Sequence, residues 1–329
     1  MTAGGVSAPG KAFLCGEYAV LSGAPTIVAA VGRRVVARWT QVPFGPEVLP
    51  REAHATIAAA ERDFGPVRHH LSLDTRRLYD GSKKLGLGSS AAVAAASAAA
   101  IAAVQGYDLG QEQIRDRVFT AAWRGHTSVA PQGSGADVAA ATYGGYVSFR
   151  GRWGEPIVEQ VNPPSSLLML LIWTGEPART SDLLAQVMRM RTQEPTRHER
   201  CMAALREHAT EFARAFRSDD GRGVIRTARS YNACMGALGV AAQAPIVNSK
   251  LRRIADLAEW HGGAAKPSGA GGGDLAVAFF SDRNAAEHFA AACQGGGLLP
   301  LHVEMGAEGV SLLHAREKPL QHGLPRNTR

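Results

Sequence analysis

The chain predicts an α+β fold in two domains, and three observations carry that prediction. Apolar, β-branched runs mix with helix-patterned stretches, but without the strict strand–helix–strand alternation of a parallel sheet. Loops of small residues lead directly into several of these segments. A stretch punctuated by Gly151, Gly154, Pro156, Pro163 and Pro164 divides the chain, placing one domain at 1–160 and another at 161–329.

In order, the first fifty residues read as strands and turns. Val35 to Val42 is rich in β-branched and aromatic side chains and is broken by Pro43, Pro46 and Pro50. Glu52 to Phe64 is helix-patterned. Leu85-Gly86-Leu87-Gly88-Ser89-Ser90 is a loop that runs into Ala91–Val104, a helix by alanine's propensity. Gln111 to Arg124 is a further helix, and Tyr143 to Arg150 alternates as a strand at the Gly144-Gly145 turn. In the second half, the continuous apolar run Leu167–Trp173 reads as a buried strand. Helices follow at 181–192, 197–217, 221–238 and Asn248–Trp260, then a glycine loop, Lys266–Asp274. A strand, Leu275–Phe280, and a helix at 283–294 complete the pattern, and the polar tail beyond Arg316 reads as loose.

Composition narrows the function. Hydrophobic residues at 45% and charged residues at 20% are globular values and exclude a disordered chain. Lys+Arg exceed Asp+Glu by 36 to 29, a net +7 that favours anionic ligands. The basic residues are scattered, with no arginine-rich arm or interleaved aromatics, which argues against nucleic acid. Cys15, Cys201, Cys234 and Cys293 lie far apart and read as reduced thiols. His69-His70, His198 and His208 fit no metal-ligand spacing. The N-terminus lacks the pattern of a signal peptide, and no apolar run approaches the ~20 residues of a membrane span. A cytoplasmic protein is expected, as a monomer or homodimer.

Four segments carry chemistry. In Lys83-Lys84-Leu85-Gly86-Leu87-Gly88-Ser89-Ser90, two glycines permit close backbone approach, and the following helix aims free N–H groups and its positive dipole end at the loop. That is an anion site suited to nucleotide phosphates, and a hydroxyl at Ser89 or Ser90 can ligate Mg²⁺. The spacing is neither a Walker A loop nor a dinucleotide fingerprint, and an ordinary helix start is the alternative. Ser7-Ala8-Pro9-Gly10-Lys11 presents an ammonium after a turn, and a solvated hairpin lysine is the alternative. Ser268-Gly269-Ala270-Gly271-Gly272-Gly273 is too costly to order for a mere linker entering a core strand. Gln132-Gly133-Ser134-Gly135-Ala136-Asp137 offers a carboxylate for acid–base work, or a plain helix cap. The chain has 30 Arg and only 6 Lys, yet Lys11, Lys83, Lys84 and Lys266 all fall in these loops, which suggests chemistry needing a compact ammonium.

At these residues the chain resembles the GHMP kinases, named for galactokinase, homoserine kinase, mevalonate kinase and phosphomevalonate kinase. Pro9-Gly10-Lys11, Gly86-Leu87-Gly88-Ser89-Ser90 and Ser268-Gly269-Ala270-Gly271-Gly272-Gly273 match its three motifs in order. The resemblance implies an N-terminal domain like ribosomal protein S5 and a ferredoxin-like C-terminal domain. ATP would lie over Gly86, Leu87, Gly88, Ser89, Ser90 and Ala91, with Mg²⁺ at Ser90. Asp137 and Lys11 would be catalytic. Lys84, Tyr18, Ser134, Ser268, Gly269, Ala270 and Gly271 would hold the acceptor, with Lys83 a solvated neighbour. Gly16-Glu17-Tyr18, the lysine-flanked second loop and Trp173-Thr174-Gly175-Glu176-Pro177-Ala178 are most similar to the phosphomevalonate kinase branch. Arg179 departs from it, standing where that branch often has a small hydroxyl residue. The implied reaction is phosphoryl transfer from ATP to 5-phosphomevalonate. A mevalonate kinase or another small-alcohol kinase is the alternative, and a nucleotide-binding sensor without catalysis is the alternative from a different class.

Overall fold

The computed structural model describes residues 4–42, 48–151 and 156–313. Pro43, Pro46, Gly154 and the tail beyond Arg316 lie outside them. Strands β1 (Gly4–Cys15) and β2 (Thr26–Thr40) form a long antiparallel hairpin, with a register shift between Pro9 and Gly10. β3 (His70–Asp74) also pairs with β2, and β4 (Tyr79–Asp80) pairs with β5 (Lys83–Lys84) in a small separate ribbon. β6 (Tyr146–Arg150) and β7 (Ile157–Val161) extend the main sheet beyond β2.

Helices α1 (Arg51–Phe64), α2 (Ser89–Val104), α3 (Glu112–Val129) and α4 (Ala136–Tyr143) pack together, with α2 and α4 against β1 and β2. Every residue of α2 from Ala91 to Ala103 is buried. Alanine explains this central position, because a one-methyl side chain lets backbones approach closely without voids. Tyr143 closes α4 rather than opening the next strand. Gly144 and Gly145 follow it at φ 76° and 65°, a left-handed pair that turns the chain before β6 begins at Tyr146.

The second sheet is antiparallel, built from β8 (Leu168–Trp173), β9 (Ala264–Pro267), β10 (Leu275–Phe280) and β11 (Leu299–Leu301), in the order β11-β8-β10-β9. Helices α7 (Gly221–Ala241), α8 (Ser249–Trp260) and α9 (Arg283–Gly295) pack on it, while α5 (Thr180–Gln193) and α6 (Pro195–Arg217) pack against α7, and α6 reaches β1 and β2 of the first sheet. The uninterrupted apolar run of β10 follows from burial on both faces. Leu275, Val277 and Phe279 join the main core beside α6 and α7, while Ala276, Ala278 and Phe280 meet α8 and α9 in a second core. The last described strand, β12 (Ser311–Leu312), returns to pair with β1, so the 161–329 half sends one strand into the first sheet.

Candidate active site

The first two motifs meet through backbone. The N–H of Lys11 donates to the carbonyl of Leu87 at 2.8 Å. A Cβ on Gly10 would stand 2.7 Å from that oxygen, so only glycine allows β1 to lie against the loop. In the loop, Gly88 caps α2 with φ 73° and no side-chain bond, leaving the first-turn N–H groups of the helix available to an anion. A Cβ on Gly88 would lie 2.6 Å from Cε of Lys11. The lysine side chain therefore runs across the loop, and its ammonium donates to the Gly86 carbonyl at 3.3 Å.

Lys11 is a buried cation. Desolvation lowers its pKa from the ordinary value, and the charges of Asp137, Asp274 and Glu17 oppose that shift. Asp137 sits in the first turn of α4, but Gly135 is the residue that caps the helix. Asp137 therefore does not occupy the N-cap position; among the described residues its carboxylate accepts the N–H of Val138, at 3.0 Å. Asp274, at φ 50°, holds its carboxylate on the N–H of Ala178 at 3.1 Å and beside Gly86. Burial raises its pKa, against the Ala178 N–H and the charges of Lys11 and Lys84.

These groups line a cavity of about 750 Å³. Of the residues expected at the nucleotide, Gly86, Leu87, Gly88, Ser89 and Ser90 line it, whereas Ala91 is buried inside α2. Lys11, Lys84, Asp137, Ser268, Gly269, Ala270 and Gly271 line it as well, and so does Arg179. Tyr18 and Ser134 line instead a second cavity of about 710 Å³. The two cavities share Pro131, Gln132, Gly133 and Leu184 as a common wall. The Tyr18 hydroxyl donates to the Ala270 carbonyl at 2.6 Å, and Ser134 accepts the Ala136 N–H at 3.3 Å.

The lysine pattern resolves into three roles. Lys11 is in the cavity, and Lys84 is exposed on its rim beside an exposed Lys83. Lys266 serves structure instead. Its ammonium is wholly buried, 2.5 Å from the Glu17 carboxylate and 2.5 Å from the Pro267 carbonyl. Glu17 Oε1 also accepts the Gly269 N–H at 3.2 Å, and its backbone carbonyl accepts the Tyr231 hydroxyl at 2.6 Å. The turn after β1 thus pins the third glycine loop.

Three site residues escape a reading of the sequence. His126 of α3 is buried in the first cavity and hydrogen-bonds with Ser90 through Nε2 at 3.3 Å. Thirty-six positions separate the pair, so no local spacing announces it. Asp274 closes the third glycine run, a position that could have marked it. Glu17 finds Lys266 only across the two sheets. Among the described residues no cluster of three or more His, Cys, Asp or Glu forms a metal cage, and the four cysteines are free. None of their helices is long and apolar enough to cross a membrane.

A two-domain α+β architecture with a buried lysine crossing a glycine loop, opposite a helix-borne aspartate, defines the class as a phosphotransferase fold. The chain belongs to the GHMP kinases: the family's N-terminal domain matches residues 80–145 and its C-terminal domain residues 201–297. It is 28% identical to a phosphomevalonate kinase of Streptomyces sp. strain CL190, over 92% of this chain and 97% of that relative. A mevalonate kinase of Thermococcus gammatolerans is 26% identical over 93% and 97% respectively. The structure superposes at a TM-score of 0.78 on a Streptococcus pneumoniae phosphomevalonate kinase in complex with phosphomevalonate and AMPPNP. That likeness has 20% identity over 92% of this chain and 99% of the other.

Proposed function

We propose that the protein transfers the γ-phosphoryl group of ATP to 5-phosphomevalonate, giving 5-diphosphomevalonate and ADP, in the cytoplasm. The observation that carries this reading is the buried Lys11 ammonium, set between the glycine loop and two carboxylates in a cavity large enough for a nucleotide. The triphosphate would lie on the free N–H groups at the start of α2. An oxygen of the acceptor phosphate forms the new bond to the γ-phosphorus, and the bond to the bridging oxygen of ADP breaks. Charge spreads over the transferring group, and donors fixed beforehand stabilise it best. Lys11 supplies such a donor at no cost of reorganisation, since its side chain is already held across Gly88. A phosphate monoester with a second pKa near about 6 is largely deprotonated at neutral pH, so Asp137 has little proton to accept. Its charge instead raises the Lys11 pKa against the lowering by burial, which favours the charged ammonium.

Mg²⁺ fits the residues present. It takes few protein ligands and relies on phosphate oxygens and water, which suits a cavity offering Ser90 and Asp137 rather than a closed cage. Bound there with ATP, it would neutralise charge on the phosphates.

The test is an acceptor panel with purified protein, following ADP release with 5-phosphomevalonate, mevalonate, galactose and homoserine. The highest kcat/KM is expected with 5-phosphomevalonate. A preference for mevalonate would make this a mevalonate kinase, a reading favoured by its similarity to those enzymes. Nucleotide binding without turnover on any acceptor would indicate a sensor.

A further inference from the structure

We infer that the second cavity receives the carboxylate end of the acceptor and that Arg191 is the residue that pairs with it. The inference rests on the reading above. In 5-phosphomevalonate the phosphate and the carboxylate occupy opposite ends of a branched five-carbon chain. The phosphate must reach the nucleotide beside Lys11, so the carboxylate is carried away from it. The second cavity adjoins the first along Pro131–Gly133 and Leu184, and it offers room for that end.

Its lining matches a short branched acid. Val187 and Met202 present apolar wall for the methyl-bearing carbon, and the polar end carries Arg191, Arg206, His198 and Glu199. Arg206 is already committed to an ion pair with Glu199. Arg191, near the C-terminus of α5, makes no ion pair or hydrogen bond among the described residues. Its charge reaches His198, whose pKa is lowered first by burial and then by Arg191 and Arg206, against the opposing charge of Glu199. Arg191, solvent-exposed where it lines the cavity, is thus an arginine there with no charged side-chain partner among the described residues, and an arginine fork is the side chain suited to a carboxylate. Lys84 stands on the rim of the other cavity and serves the phosphates.

The test compares Arg191→Met and Arg191→Lys with the unaltered protein. Loss of a charged hydrogen bond corresponds to a rise of about 10- to 100-fold in KM for 5-phosphomevalonate. KM for ATP and thermal stability should not move, and Arg191→Lys should recover part of the loss. The deciding probe is 3-methylbutyl phosphate, which keeps the branched chain and the phosphate but has no carboxylate. Its inhibition constant should be the same in Arg191→Met and the unaltered protein. An unchanged KM for 5-phosphomevalonate in Arg191→Met would overturn the inference, as would equal weakening of both ligands. If the unaltered protein does not phosphorylate 5-phosphomevalonate, the proposed function falls. Calorimetric titration of mevalonate, which bears the same carboxylate, then decides Arg191 separately: weaker binding to Arg191→Met supports its role, and equal binding overturns it.

Discussion

Replacing Lys266 with methionine removes one half of an ion pair in which both side chains are shut off from water, at 0% and 2% exposure. The Glu17 carboxylate would keep only the Gly269 N–H, because its second oxygen is buried without a partner. Breaking such a pair from one side costs about 3–5 kcal/mol, since the remaining charge stays desolvated. That is a large share of the roughly 5–15 kcal/mol that holds a folded protein together. At about 2–4 °C per kcal/mol for a domain of this size, the melting temperature should fall by roughly 6–20 °C. Removing both charges, as Glu17→Leu with Lys266→Met, takes away the stranded carboxylate and should restore most of the loss. Urea unfolding followed by tryptophan fluorescence measures the cycle, and a constant m-value confirms that the same transition is being compared. The pair also seats the third glycine loop, so kcat should drop in the single variant below its melting transition. The reasoning fails if Lys266→Met costs less than about 1 kcal/mol, or if the double variant is no more stable than the single.

Asp137→Asn should lower kcat by a factor on the order of 10²–10⁴ with little change in KM, toward the lower end if favouring the charged Lys11 ammonium is its main task. Because Asp137 raises the Lys11 pKa, its loss lets burial lower that pKa further, and the alkaline limb of kcat should move to lower pH. A profile that keeps near-normal kcat from pH 6 to 9 would reduce Asp137 to a structural residue. Lys11→Met should abolish most turnover yet raise stability at neutral pH. A lysine with a depressed folded pKa binds its proton more tightly when unfolded, so the gain should shrink as pH rises toward 10.5. Denaturation midpoints at several pH values check the sign. Gly88→Ala forces a side chain into φ 73° and onto Lys11, a strain of about 1–2 kcal/mol. ATP affinity by calorimetry should drop about tenfold or more, and an unchanged affinity would remove the triphosphate from this loop.

Much of the fold was legible because its signals are local. Alanine from 91 to 100, broken only by Val93 and Ser97, favours helix wherever it occurs, and the runs at 167–173 and 275–280 require burial on both faces. Glycines at 86 and 88 marked a backbone that needs left-handed φ, and the structure has both there. The second glycine loop stands out by such patterns, whereas the roles of Lys11 and Asp137 follow from the family resemblance; all three line one cavity. The role of each lysine was not legible. Lys11 and Lys266 sit in similar glycine-rich surroundings, yet one faces the cavity and the other neutralises Glu17 from 249 positions away. Likewise nothing near His126 forecasts its bond to Ser90, and Arg191 looks like any surface helix arginine. Short-range sequence dictates backbone conformation through propensity and sterics. Which side chain is desolvated, and which charge is left uncompensated, depends on what the fold brings against it from elsewhere, and that is decided only when the two sheets and their helices close around the cavities.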